Sequence, residues 1–223
     1  MKGLDLQEYV IVADFDGTIT LEDSNEAMFC ILGNEENAQI EADYVAGLIH
    51  NQEAMRRQFR LLCITLAEYY AFLDANIHMD PGVDAFLQEV REQEIPLFIV
   101  SGGFRQGIER VLGDTRLSGV QVFANDLLEE GGRLVPSFAL KNAVCTEPIG
   151  PCGNCKKACI DTIRRQSNRK IIYIGDGLTD RCVAYKTDLL FAKDALAAHC
   201  QALGVAYVPF AHFSDVTSYL WPE

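Results

Sequence analysis

The stretch Tyr9–Asp23, YVIVADFDGTITLED, decides the fold. It opens on an apolar run, Tyr9–Ala13, that is long enough for one buried strand and too short for a typical helix. The run breaks into Asp14, Phe15, Asp16, Gly17 and Thr18. A pair of carboxylates therefore stands where the chain leaves the sheet, and in open α/β sheets that carboxyl edge is where ligands bind. Crowded carboxylates share a proton or recruit a cation. Hard oxygen donors suit Mg²⁺, and Mg²⁺ suits phosphate. Taken alone, Asp-x-Asp-Gly is equally a turn, with aspartate capping an amide and glycine supplying positive φ.

The rest of the chain alternates strand and helix. Short apolar runs at Leu97–Val100, Val120–Ala124, Ile171–Ile174, Leu189–Ala192 and Val205–Val208 read as strands. Val83, Phe86, Leu87 and Val90 mark a helix stopped by Pro96, and Phe104–Leu112 marks another closed by Gly113. Residues 143–159 are irregular at first and then enter a helix through about Gln166. Such alternation implies an α/β fold, a doubly wound parallel sheet with right-handed crossovers in the Rossmann-like manner.

One segment departs from that alternation. From Ser24 to about Met79 apolar residues fall at helical spacing: Ala27, Met28, Ile31 and Leu32, then Ala42, Val45, Ala46 and Ile49, then Met55, Phe59, Leu62 and Cys63, then Leu66 to about Leu73. This is a small helical cap inserted after the first strand. The implied division is a core of residues 1–22 and 80–223 with a cap of residues 23–79. Leu127–Phe138, with Glu129, Glu130, Gly131 and Gly132 between apolar residues, reads as a hairpin projecting from the sheet edge.

The chain has 223 residues, enough for a large core, and a formal net charge of −13, which repels a nucleic-acid backbone. No stretch reaches the roughly 18–20 consecutive apolar residues of a membrane span. The start, MKGLDLQEY, lacks the apolar centre of a signal peptide, so a cytoplasmic location is expected. A core of this size has no need of staples, and the eight cysteines read mostly as reduced thiols.

Three strand ends carry small or acidic residues: Asp14 and Asp16, then Ser101 and Gly102, then Asp176 and Asp180. Lys156 sits near a helix start just before the strand that leads to Asp176. Folding that unites these ends gathers carboxylates, a hydroxyl, glycine amides and a lysine, the groups phosphoryl transfer needs.

With DFDGT at Asp14–Thr18, SGGF at Ser101–Phe104, Lys156, and GDGLTD at Gly175–Asp180, in that order, the sequence resembles the haloacid dehalogenase superfamily of aspartate-nucleophile phosphotransferases. The cap between the first two motifs resembles the subclass that contains phosphoserine phosphatase. The resemblance implies that Asp14 attacks phosphorus to form an aspartyl-phosphate and that Asp16 acts as general acid and then base. It implies Mg²⁺ held by Asp14, the Asp16 carbonyl and Asp176, with Asp180 in support. Ser101 and the Gly102 amide would hold the phosphoryl oxygens, and Lys156 would balance their charge. An acid at Asp16 favours phosphate esters over halides, since a halide leaves without a proton.

The approach to the lysine, Cys145 and then CGNCKKAC, resembles a narrower group. It comprises the methionine-salvage phosphatases acting on 2-hydroxy-3-keto-5-methylthiopentenyl-1-phosphate and the phosphoethanolamine/phosphocholine phosphatases. The salvage ester ranks first as substrate, ahead of phosphoserine. Cys152 and Cys155, with Cys145 and Cys159, are also half or all of a zinc site, or else buried and free thiols. In the cap, Asp23 and Arg56 stand where phosphoserine phosphatase binds substrate amino and carboxylate groups, with Arg57 and Arg60 as rivals to Arg56. The expected partner is a small phosphorylated metabolite, with no nucleic acid and no membrane, and the protein a monomer or homodimer. Two rival readings use the same residues: a phosphate- and metal-binding module without turnover, and a phosphotransferase that delivers to an alcohol.

Overall fold

The computed structural model describes residues 4–139, 145 and 150–222. Of the irregular approach expected over 143–159, residues 143, 144 and 146–149 lie outside the described residues. The strands are β1 (Tyr9–Ala13), β2 (Leu97–Phe104), β3 (Gln121–Glu130), β4 (Arg133–Ser137), β5 (Lys170–Gly175), β6 (Leu189–Ala192) and β7 (Val208–Pro209). They form one sheet in the order β4-β3-β2-β1-β5-β6-β7, parallel except for the β3–β4 pair. The chain leaves β1 toward β2 on one side and returns to β5 on the other, so β1 is the switch point of the winding.

Every side chain of β1 is buried, as its unbroken apolar run requires. The pleat sends Tyr9, Ile11 and Ala13 to one layer and Val10 and Val12 to the other. The first layer is filled by α5 (Val83–Glu92), α6 (Arg105–Leu117) and α9 (Phe213–Leu220), through residues such as Phe86, Ile108 and Phe213. The second is filled by α7 (Lys156–Ser167) and α8 (Asp194–Leu203), through Ile160, Ile163 and Leu196. Burying each such side chain contributes about 1.5–3 kcal/mol, and the two layers clamp β1 from both faces.

Register places the site. Ala13 pairs with Ile99 of β2 and with Ile174 of β5, and the Asp14 amide extends the ladder to the Ile174 carbonyl at 2.9 Å. The residues just beyond these three positions, Asp14, Ser101 and Asp176, therefore emerge at nearly one level.

Between β1 and α5 run four helices, α1 (Ser24–Leu32), α2 (Glu35–Val45), α3 (Asn51–Leu62) and α4 (Leu66–Asn76). The two ends of this insert meet: Thr20 bridges Met79 and the Leu21 amide bonds the His78 carbonyl at 2.8 Å. Its interior unites Met28, Phe29, Phe59, Tyr69, Phe72 and Leu73. The expected apolar faces shift by a few positions. In α2, Ile40 and Tyr44 are buried while Val45 is 60% exposed, because the helix stops at Val45 and the turn at Gly47, φ 72°, redirects the chain toward α3.

Other boundaries also moved. Strand β2 continues through Ser101–Phe104, past its apolar run, because its pairing with β3 resumes at Phe104 and Asn125. Strand β7 starts at Val208 rather than Val205, whose amide instead closes α8 on the Cys200 carbonyl. The hairpin is β3–β4, turning through Gly131 and Gly132, both at positive φ. It does not project freely: Leu127 and Leu134 pack into the helical insert, and the Leu134 amide bonds the Ile64 carbonyl.

Candidate active site

The ends of β1, β2 and β5 open into a cleft of about 310 Å³ roofed by the helical insert. Asp14 is its buried floor. Its Oδ1 accepts from the Phe15 amide at 2.7 Å and its Oδ2 lies 2.5 Å from Lys156 Nζ. The same ammonium lies 2.6 Å from Asp180 Oδ1, which also takes the Tyr173 hydroxyl. Asp180 Oδ2 accepts from the amides of Gly177 at 2.9 Å and Asp176 at 3.2 Å. Asp176 is held by the Thr18 hydroxyl at 2.6 Å.

Lys156 reaches this position because its helix is pinned at the start. Asn154, buried, donates to the carbonyls of Ser101 and Phe123 at 2.9 and 2.8 Å and accepts from Cys159 Sγ. That one amide ties the approach loop to β2 and β3. The DFDGT glycine is fixed by close approach: Gly17 has φ 70°, and a Cβ there would lie 2.5 Å from Asp176 Oδ2.

Three buried or half-buried carboxylates, Asp14, Asp176 and Asp180, cluster around one ammonium. Burial, then the charge of Asp180, pushes the Asp14 carboxyl well above the usual range, against the pull of Lys156. Burial works the same way on Asp180, yet Lys156 overrides it and holds that carboxyl low. The lysine contacts both carboxylates, and Asp180 has the fuller set of other donors. Burial and then Asp180 push Asp176 up to about 6. Against its own burial, Lys156 is raised by Asp14 and Asp180 together. Asp14, Asp176 and Asp180 each offer an oxygen within 4.8 Å of the others, a hard donor set with a charge deficit that fits a divalent cation such as Mg²⁺.

Asp16 points to the opposite wall. Its Oδ1 accepts from the Ser24 amide at 3.0 Å and from the Ser24 hydroxyl, and its Oδ2 from Ser101 Oγ at 3.3 Å. Burial raises its pKa and the Ser24 bonds oppose this. Ser101 is buried, and its Oγ also accepts the Gly103 amide at 2.8 Å. Gly102 lines the cleft with open space beside its Cα.

The structure brings Asp14, Asp16, Gly102, Lys156 and Asp176 to the cleft wall, with Ser101 and Asp180 bonded directly behind them. Asp23 also lines it, and its carboxyl caps α1 by accepting from the amides of Asn25 and Glu26. Although its surface is open to the cleft, the walls desolvate it, and this first and Asp16 second push its carboxyl up to about 8. Arg56 is placed elsewhere. Its guanidinium lies over the Phe138 ring, 4.8 Å from the centroid, and among the described residues no arginine lines the cleft.

The cysteines form no disulfide among the described residues, and there the carboxylates, not the thiols, make the metal-competent group. Sequence reasoning missed Thr18, Ser24, Asn154 and Tyr173, each of which orients a carboxylate or the lysine. Only Thr18, inside DFDGT, and Asn154, inside CGNCKK, carried a motif signal.

The sequence profile of haloacid dehalogenase-like hydrolases matches residues 11–184. The chain belongs to that family. Like its haloacid dehalogenase-like relatives that are named for phosphoester cleavage, it is a phosphatase. The 2-hydroxy-3-keto-5-methylthiopentenyl-1-phosphate phosphatase of Geobacillus kaustophilus is 31% identical over 211 residues, 94% of each chain. The polyol phosphate phosphatase of Saccharomyces cerevisiae is 28% identical, covering 93% of this chain and 90% of its own. Phosphoserine phosphatase from T. onnurineus superposes with a TM-score of 0.68 at 17% identity, over 98% of both chains. Among the described residues no helix is long and apolar enough to cross a membrane.

Proposed function

We propose that the chain is a Mg²⁺-dependent phosphomonoesterase that works through an aspartyl-phosphate on Asp14, with 2-hydroxy-3-keto-5-methylthiopentenyl-1-phosphate as its substrate. The observation that carries the chemistry is Lys156 Nζ lying 2.5 Å from Asp14 and 2.6 Å from Asp180 at the floor of the cleft. That contact holds Asp14 at the sheet edge while leaving the cleft side of its carboxylate for phosphorus. Asp14 displaces the alcohol, Asp16 protonates the departing oxygen, and Asp16 then takes a proton from the water that releases phosphate. The Gly102 amide donates to the phosphoryl oxygens, the Ser101 hydroxyl joins it by turning from Asp16, and Lys156 offsets part of their charge.

Asp14, the Asp16 carbonyl and Asp176 would hold the Mg²⁺, with Asp180 beside them; when bound it supplies neutralisation of the charge on the transferred phosphoryl group. In this reading residues 23–79 act as a cap on a core of 1–22 and 80–223. We further place the enzyme in the cytoplasm, where its eight cysteines stay reduced.

Two features support the salvage ester over phosphoserine. It is the substrate named for the Geobacillus relative, which is more similar in sequence than the T. onnurineus phosphoserine phosphatase. The cleft also lacks, among the described residues, an arginine to meet a substrate carboxylate. The test is Mg²⁺-dependent phosphate release from the salvage ester generated in situ, phosphoserine, phosphoethanolamine, phosphocholine and an aryl phosphate, with Asp14→Asn as control. One compound turning over above about 10⁴ M⁻¹s⁻¹ in kcat/KM, with a dead control, is the expected result. An active Asp14→Asn protein overturns the nucleophile, and preferential release from phosphoserine overturns the substrate.

A further inference from the structure

The roof of the cleft holds buried polar atoms with no partner. Gln58, on α3, is 0% exposed, and its Oε1 has no hydrogen bond. Its Nε2 donates to Glu41 Oε2 at 2.8 Å, which fixes the amide so that the oxygen is the atom left over. Asn25, at the start of α1, is 5% exposed, and its Oδ1 also has no partner. Both side chains line the same cleft as Asp14 and Lys156. A buried acceptor left unpaired is costly, so two of them on a ligand-sized cavity point to a ligand that pairs them.

The charges on that wall narrow the ligand further. Glu26 and Glu41 lie on the roof, and the one cation among the described lining residues, Lys156, is already bridged by Asp14 and Asp180. A second anion on the substrate would meet carboxylates with nothing to balance it. A neutral hydroxyl would donate to an orphaned amide oxygen at no such cost.

We propose that Gln58 Oε1 and Asn25 Oδ1 form the leaving-group subsite, which takes phosphomonoesters of alcohols that carry a further hydroxyl donor and no second anion. This rests on the phosphatase reading, and the enol hydroxyl of the salvage ester is one such donor. Gln58 and Asn25 are specificity residues here, touching the alcohol and not the reacting phosphorus.

Three esters of one size test this: glycerol 3-phosphate, with hydroxyl donors; propyl phosphate, with none; and 3-phosphoglycerate, with a carboxylate. The wild-type protein is expected to prefer glycerol 3-phosphate to propyl phosphate by about fivefold or more in kcat/KM and to turn over 3-phosphoglycerate worst. In Gln58→Met and in Asn25→Leu the glycerol-to-propyl ratio falls toward one. A ratio taken within one protein preparation does not depend on the fraction folded, so a partly unfolded variant still reports. Equal wild-type rates on glycerol and propyl phosphate, an unchanged ratio in both variants, or 3-phosphoglycerate as the best ester overturns the subsite. p-Nitrophenyl phosphate separates the failures: Mg²⁺-dependent release from it with a flat panel removes the subsite alone, whereas no release from any ester removes the phosphatase reading as well.

Discussion

Ser24 donates to a single oxygen of Asp16, Oδ1, from both its backbone amide and its hydroxyl. Ser24 opens α1, so the first residue of the first inserted helix orients the carboxyl that we assign as acid and base. Loss of one bond to a charged acceptor costs about 1.5–3 kcal/mol, roughly 10–100-fold in rate if it is felt in the transition state. Ser24→Ala is therefore expected to lower kcat/KM on alkyl phosphates, which reports the displacement of the alcohol, by that factor. Aryl phosphates, whose leaving group needs no proton, should lose much less in kcat/KM. Equal kcat/KM losses on both ester classes would remove Asp16 from the role of acid.

Two adjacent glycines make opposite predictions. A Cβ on Gly103 would lie 2.4 Å from Asp16 Oδ2, whereas one on Gly102 meets nothing within 4 Å. Gly103→Ala must displace Asp16, and misplacing a catalytic group by about 1 Å costs about 100-fold. Gly102→Ala leaves the fold at wild-type stability and narrows the cleft that Gly102 lines, so its effect falls on KM. Steady-state kinetics and thermal melts of both variants decide this. A kcat loss in Gly102→Ala larger than in Gly103→Ala contradicts the geometry.

Lys156 is 2% exposed and compensates two buried carboxylates. Removing one partner of a buried ion pair costs about 3–5 kcal/mol, because the charge left behind has no solvent. Urea denaturation of Lys156→Met in EDTA should show a loss of that size. Adding Asp180→Asn removes one of the stranded charges, so the double variant should be more stable than Lys156→Met alone. If the second substitution destabilises further by its full single-variant amount, the pair is not coupled.

The core of the site was legible because it is written in strand ends. A buried run, Tyr9–Ala13, leading into Asp14 and Asp16, fixes both the strand and the groups at its edge, and parallel register then carries Ser101 and Asp176 to the same level. The illegible part depends on side chains meeting across the fold. Ser24 reads as an ordinary first residue of a helix, and nothing in the sequence says that its hydroxyl faces Asp16. Arg56 reads as a charged helix residue near a phosphate site, yet the helix turns it onto Phe138. The β3–β4 hairpin was recognisable from Gly131 and Gly132, but its packing on Ile64 and Phe59 was not, since that contact joins segments distant in sequence. Boundaries moved where pairing outvoted composition, as at Ser101–Phe104, where neighbouring strand β3 extends a strand beyond its apolar residues.

Asp23, solvent-exposed at the cleft mouth, is one source of pH dependence beside Asp14, Asp16 and Asp176, whose carboxyls are also raised. An ordinary aspartate titrates near 3.8, and here desolvation by the cleft walls, with Asp16 next, pushes the carboxyl up to about 8. The folded protein therefore holds this proton more tightly than the unfolded chain does. Its contribution to stability is complete below the unfolded value and is lost as pH rises through about 8. Asparagine caps a helix as well as aspartate does, as Asn34 does for α2, so Asp23→Asn keeps the cap and removes the titration. Melting temperatures of the two proteins, taken in EDTA from pH 5 to pH 9, should diverge in favour of Asp23→Asn as pH rises. Asp16 and Asp176 interact with Asp23, so the difference reports Asp23 together with its interactions with them. A difference that stays flat, or that favours the wild-type protein at high pH, means that Asp23 titrates as a solvent-exposed cap, and the cleft does not desolvate it.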